Sequence, residues 1–162
     1  MTAARPFVTS DRVRWADVDL IGIMRFSAYT RLIELAEQEL MREAGLSYGA
    51  IFDAPVTMLP RRHLSIDYFA PVRIDDALSL VTYVSRIGAT SLTLRVDVRT
   101  DPAWLLVAAA EMVLVCVTME SFEKVRLPDD LRARLAAFEC SVDAARAWTP
   151  DDLGPGRPLS AG

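Results

Sequence analysis

The sequence holds few of the residues that build metal cages and thiol chemistry. It has one histidine, His63, and two cysteines, Cys116 and Cys140, in 162 residues. That scarcity excludes a Cys/His zinc site and a disulfide framework, and it argues against a Ser-His-Asp or Cys-His catalytic set. A reducing compartment fits such cysteine usage. Lysine is almost absent, with Lys124 alone, so arginine supplies nearly all of the 18 basic charges against 22 acidic ones. A formal charge of −4 sets the chain apart from nucleic-acid binders, which carry net basic charge or a basic stripe. Long apolar runs are also missing. The most apolar window, 104–119, is shorter than the roughly 20 residues that span a bilayer, and Glu111 interrupts it. The opening segment 1–6 lacks the apolar stretch of a signal peptide. These features predict a cytoplasmic protein with neither a membrane nor a nucleic-acid partner, and nothing in them calls for a metal or cofactor.

Apolar residues make up 52% of the chain, enough for one sizeable core. Phe7 to Trp15 alternates as an opening strand, with Val13 and Trp15 on one face. A helix is predicted over Ser27 to Ala44, where Tyr29, Leu32, Ile33, Ala36 and Leu40 recur at helical spacing. Ser27 suits its N-cap and Gly45 its C′ position. Period-two patterning then predicts strands at 62–69, 78–87 and 90–99, and the almost wholly apolar run 103–119 predicts a fourth covered on both faces, joined as a meander through hairpins at 87–89 and 100–102. Pro128 to Phe138 reads as a short helix. Residues 1–140 are thus expected to form one domain. Residues 141–162, ending in a run rich in Pro and Gly, are expected to form a loose tail. One broad apolar helix among strands must be wrapped by the sheet, and pairing of two copies would cover the edge that such a sheet leaves open.

The chemistry-bearing stretch joins the first strand to the helix. Asp17 and Asp19 stand there in an otherwise apolar segment, just ahead of a helix N-terminus. A carboxylate at such a place could activate water or attack a carbonyl, while free backbone amides hold the oxyanion that develops. The plain alternative is an Asp turn with a helix-end charge effect. Elsewhere, Cys116 reads as a buried inert thiol, His63 as a surface residue, Glu111 as a structural carboxylate and Glu37 as a solvated or interface-paired one. Arg61 and Arg62 are read as able to bind phosphate, or as a solvated pair.

Asp19-Leu20-Ile21-Gly22-Ile23 with Tyr29, Glu34 on the helix, 44–48 after it, and Asp67-Tyr68-Phe69-Ala70-Pro71 leading to Asp75-Asp76 together resemble the 4-hydroxybenzoyl-CoA thioesterase family of hotdog-fold proteins. The similarity runs from about Val13 to Leu127. It implies an α+β hotdog fold, an antiparallel five-stranded sheet wrapped around one long central helix, in a homodimer or homotetramer with the site at an interface. It implies hydrolysis of an acyl-CoA or acyl-carrier-protein thioester. Asp19 would serve as nucleophile or general base, and the Phe26 amide would polarise the thioester carbonyl. Gly22 would let the backbone approach the substrate. Met24, Phe26, Tyr29, Met58 and Leu59 would line the acyl pocket, and Arg61, Arg62, Arg73 or Arg86 would meet the carrier's phosphates. Where many relatives place polar groups, this chain has Arg25-Phe26 and Ala28, which implies a greasier pocket and an aliphatic or aromatic acyl group. A non-catalytic hotdog module that binds an acyl group or acyl-carrier partner is the alternative. A hydratase would need a histidine in this loop, which has none.

Overall fold

The computed structural model describes residues 4–46 and 57–153. Strand β1 (Phe7–Arg12) leads through a 3-10 turn and a short hairpin into helix α1 (Tyr29–Glu43). Then follow β2 (Thr57–Met58), β3 (Arg61–Tyr68), β4 (Ala77–Ile87), β5 (Ser91–Thr100), β6 (Leu106–Val115) and β7 (Val117–Thr118). Helices α2 (Asp129–Leu135) and α3 (Val142–Ala147) close the described chain, apart from a final 3-10 turn. The main sheet is antiparallel and five-stranded, in the order β1-β4-β5-β6-β3, and β2 pairs with β7. Among the described residues no helix is long and apolar enough to cross a membrane.

Alternation sets the inner face of this sheet. Leu80 pairs with Val98 and Val98 with Ala108, while Leu94 faces Met112 and Leu92 faces Leu114. These side chains form one cluster with Leu32, Ile33, Ala36 and Leu40 of α1. Each fully buried leucine contributes on the order of 2 kcal/mol. The helix ends in a Schellman motif: Gly45 takes φ +74° and gives its N–H to Arg42, while the Leu46 N–H reaches Met41. Residues 47 and 48, part of the matched stretch, lie outside the described residues.

Several expectations are corrected. The strands are not a simple meander: β3 crosses to the far edge and pairs with β6. That position leaves β3 exposed along most of its length. The opening strand stops at Arg12, and the 3-10 turn at 15–17 breaks the alternation, so Val13 is buried while Trp15 is 83% exposed. Ser27 does not cap α1, because a 3-10 turn over Phe26–Ala28 runs directly into it and Ala28 becomes the N-cap. The long apolar strand ends at Val115; Cys116 leaves the sheet and β7 turns to β2. The stretch from 141 is not a loose tail as far as 153. Ser141 caps α3 by accepting the Ala144 N–H, and Ala145 and Trp148 are buried. This segment lies over the outer sheet face, where Arg146 meets Asp97 at 3.4 Å and the Trp104 and Trp148 rings lie 5.8 Å apart.

Candidate active site

The segment 13–28 is a hairpin held from both sides. Val18 and Met24 bridge, and the Asp19 N–H donates to the Ile23 carbonyl at 3.1 Å. Gly22 lies at the tip with φ +77°, a conformation that glycine adopts without a Cβ penalty. Its N–H bonds the Asp19 carbonyl at 3.0 Å. The turn 70–76 braces one flank: Met24 donates to the Val72 carbonyl at 2.8 Å, and Val13 to the Asp76 carbonyl at 3.0 Å. Asp76 closes that turn by accepting the Arg73 N–H at 2.7 Å. The two sequence motifs of the resemblance are thus in direct contact, the second buttressing the first.

Asp17 and Asp19 have separate employment. Asp17 is 4% exposed. Its carboxylate accepts the Arg14 N–H at 2.9 Å, Arg31 Nε at 3.1 Å and a second Arg31 nitrogen. Arg31, on α1, also pairs with Asp11 of β1. This clamp ties β1, the hairpin and the helix together, and it was not foreseen from the sequence, where Arg31 reads only as part of the polar helix face. Burial by itself would raise the Asp11 pKa. The Arg31 hydrogen bond, the Arg12 N–H and the neighbouring guanidinium charges outweigh it and hold the carboxyl below its ordinary value. Asp19, by contrast, is exposed. Its side chain accepts one hydrogen bond, from the Ile21 N–H at 2.9 Å. That leaves it free to act on something outside the chain.

The head of α1 follows at once. Ala28 gives the first hydrogen bond of the 3-10 turn, to the Arg25 carbonyl at 3.0 Å. The Phe26 and Ser27 amides precede it and have no acceptor within the turn. The Tyr68 hydroxyl donates to the Phe26 carbonyl at 3.1 Å, and its ring meets Tyr29 edge-on at 5.1 Å between centroids. Burial, reinforced by Tyr68, raises the Tyr29 pKa and keeps that phenol neutral. In the sequence Tyr68 stands only as part of a motif; its hold on the Phe26–Ser27 peptide comes from the fold.

The remaining site residues fall into groups. Asp19, Gly22, Met24, Phe26 and Tyr29 gather at the head of α1. Met24 and Tyr29 are buried, whereas Phe26 is 76% exposed. Met58, Leu59 and Arg61 line a cleft of about 380 Å³ toward the other end of α1, with Met41 and Leu131. Glu37 is not solvated: it is 2% exposed and ion-paired with Arg61. Arg62 and Arg86 are exposed and stand at the same end of the sheet as Arg61. Each strand step is about 3.3 Å, so the length of β3 keeps Arg62 roughly 20 Å from Tyr68 within one chain. Arg73 instead lies beside the hairpin, where its guanidinium would sit 3.7 Å from a Cβ at Gly22. His63 is exposed, Cys116 is buried, and Glu111 is paired with Arg95. Among the described residues no cluster of His, Cys, Asp and Glu could hold a metal ion.

Residues 13–135 match the sequence model of the Thioesterase-like superfamily. The acyl-CoA thioester hydrolase YbgC of Shigella flexneri is 29% identical over 122 residues, covering 75% of this chain and 90% of that protein. A 1,4-dihydroxy-2-naphthoyl-CoA hydrolase of Synechococcus is 29% identical over 142 residues, covering 85% and 94%. In structure, a 1,4-dihydroxy-2-naphthoyl-CoA thioesterase from Synechocystis superposes with a TM-score of 0.76 at 24% identity, over 85% of this chain and 98% of that one. The sheet wrapped around α1 is therefore the hotdog fold that the resemblance implied.

Proposed function

The chain belongs to the Thioesterase-like superfamily, and from that premise we propose that it is an acyl-CoA thioesterase that uses Asp19 and the amides at the head of α1. Water adds to the thioester carbonyl carbon, the carbon–sulfur bond breaks, and free acid and thiol leave. The Asp19 carboxylate deprotonates that water or attacks the carbon itself. The Phe26 and Ser27 amides receive the oxyanion, aided by the positive end of the helix.

The observation that carries this reading is the contrast between the two carboxylates. Asp17 is consumed by Arg31 and Arg14, while Asp19 is exposed on a hydrogen-bonded hairpin that runs into the head of α1. Apolar side chains are exposed on the hairpin (Leu20, Ile21), at the helix head (Phe26) and on the edge strand (Leu64, Tyr68). A patch of this kind marks an interface.

A second copy supplies what one chain lacks. Antiparallel pairing of β3 with its twin would set the partner's Arg61–Arg62 end against this chain's Tyr68 end. Arg62, far from Asp19 within one chain, would then stand near it, where a nucleotide carrier's phosphates need a cation; Arg61 is already held by Glu37. The carrier is accordingly coenzyme A rather than a carrier protein.

A panel of acyl-CoA and acyl-carrier-protein substrates, followed by thiol release, tests the reading. The expected result is turnover of at least one acyl-CoA, with sedimentation showing a dimer or a multiple of one. Saturable binding of acyl-CoA without release would make the protein a binding module instead, the reading to which the apolar residues at Phe26 and Ala28 also lend themselves.

A further inference from the structure

Edge strand β3 runs past the first half of helix α1, from its head to Glu37, in the opposite direction. Tyr68 bonds the Phe26 carbonyl at the helix head. Leu64 joins Thr30, Ile33 and Glu34 around a cleft of about 320 Å³, one turn further on. Arg61 then meets Glu37. Beyond this pair opens the cleft of about 380 Å³, lined by Met41, Leu46, Met58, Leu59 and Leu131. Both clefts are bounded by the same two side chains, Glu37 and Arg61. At 1.5 Å per residue, Thr30 to Glu37 spans roughly 10 Å and Glu37 to Met41 roughly 6 Å more. The two clefts thus follow one another along α1, the first opening at Thr30 directly after the helix head, and the Glu37–Arg61 salt bridge stands between them.

We propose that the Glu37–Arg61 ion pair is the length stop for the acyl group. The inference rests on the thioesterase reading above. A short or single-ring acyl group fills the first compartment and ends at the pair. A longer chain must push an apolar tail through two charged groups, one of them 2% exposed, to reach the apolar second compartment. Drawing the guanidinium away from a carboxylate this deeply buried is costly, so the stop acts as a step in chain length rather than a slope. The pair acts on substrate length and takes no part in the bond that breaks.

The test compares wild type with the double variant Glu37→Gln/Arg61→Met, which removes both charges of the pair together. Two readouts are taken across a series of straight-chain acyl groups: kcat/KM for acyl-CoA hydrolysis, and affinity for the matching non-hydrolysable acyl-CoA thioethers. Wild type is expected to reach a ceiling in chain length. The double variant, with its melting temperature checked, is expected to gain roughly fourfold per methylene beyond that ceiling, the worth of a buried CH₂. Adding Leu131→Trp to the double variant, to plug the second compartment, is expected to take the gain away. A folded double variant with the wild-type length profile in both readouts would overturn the length stop and leave the thioesterase reading standing. A shifted thioether profile with no hydrolysis in any variant would uphold the stop and overturn the hydrolytic reading.

Discussion

Asp17→Asn is expected to unfold the protein early, whereas the same change two residues on is not. The Asp17 side chain is 6% exposed and carries three hydrogen bonds, two of them from Arg31. A charge-assisted hydrogen bond contributes about 1.5–3 kcal/mol. An asparagine keeps one acceptor for the Arg14 N–H but turns an NH₂ group toward a guanidinium. Arg31 is itself partly solvated and retains Asp11. The loss therefore falls below the two bonds summed, at about 3 kcal/mol. For a chain of this size, 1 kcal/mol moves the midpoint by about 2–4 °C, so a fall of roughly 6–12 °C is expected by circular dichroism or calorimetry. Asp19→Asn keeps its single acceptor toward Ile21 and should melt within about 2 °C of wild type. Equal melting of the two variants would refute the division of labour between the carboxylates. The same clamp fixes the acid limb of stability. Asp11 has a folded pKa below its unfolded value of 3.8, so its contribution is present above that value and is lost as pH falls through the lower folded one. Asp11→Asn should flatten that limb.

Three further outcomes follow. Gly22→Ala should lower kcat/KM and cost about 1 kcal/mol, because φ +77° strains any residue with a Cβ; space is not the obstacle, since the nearest atom would be an Arg73 nitrogen at 3.7 Å. Tyr68→Phe should melt within about 1 kcal/mol of wild type yet lose about fivefold in kcat, because it frees the Phe26–Ser27 peptide, whose Ser27 N–H is one of the two amides offered to the oxyanion; unchanged kcat would remove Tyr68 as a positioning residue. Asp97→Asn should hold or raise the melting midpoint at pH 7. Burial raises that carboxyl's pKa despite Arg146, so the folded state disfavours its ionised form, and the advantage over wild type should vanish below the raised value.

The sequence was most legible where one side of an element meets one environment. The α1 stripe and its Gly45 stop follow from spacing and a single φ requirement, the inner-face alternation of β4 and β5 follows from period two, and β6 follows from its continuous apolar run. What escaped depends on contacts between distant residues. The crossing of β3 to the far edge leaves no local trace, since its pattern suits either neighbour. Ser27 looks like a cap, but the Phe26–Ala28 turn removes the need for one. Asp97 and Arg99 are buried on the outer face because residues from outside their strand meet them there: Arg146 of α3 pairs with Asp97, and Trp104, its ring beside that of Trp148, accepts from Arg99 through its carbonyl. Within the site, the order Asp17-x-Asp19 could not say which carboxylate is spoken for. That depends on Arg31, fourteen residues away and one partner among several acidic groups. Glu37 misled for the same reason, as its partner Arg61 lies beyond a loop and on another strand.

The most direct measurement is thiol release from acyl-CoA by Asp19→Asn, set beside its affinity for the corresponding thioether. The account predicts a fall in kcat of about a hundredfold to ten-thousandfold, the range for a lost general base, with affinity and melting midpoint held. Full turnover by a folded Asp19→Asn protein would contradict it, whatever Asp17 does.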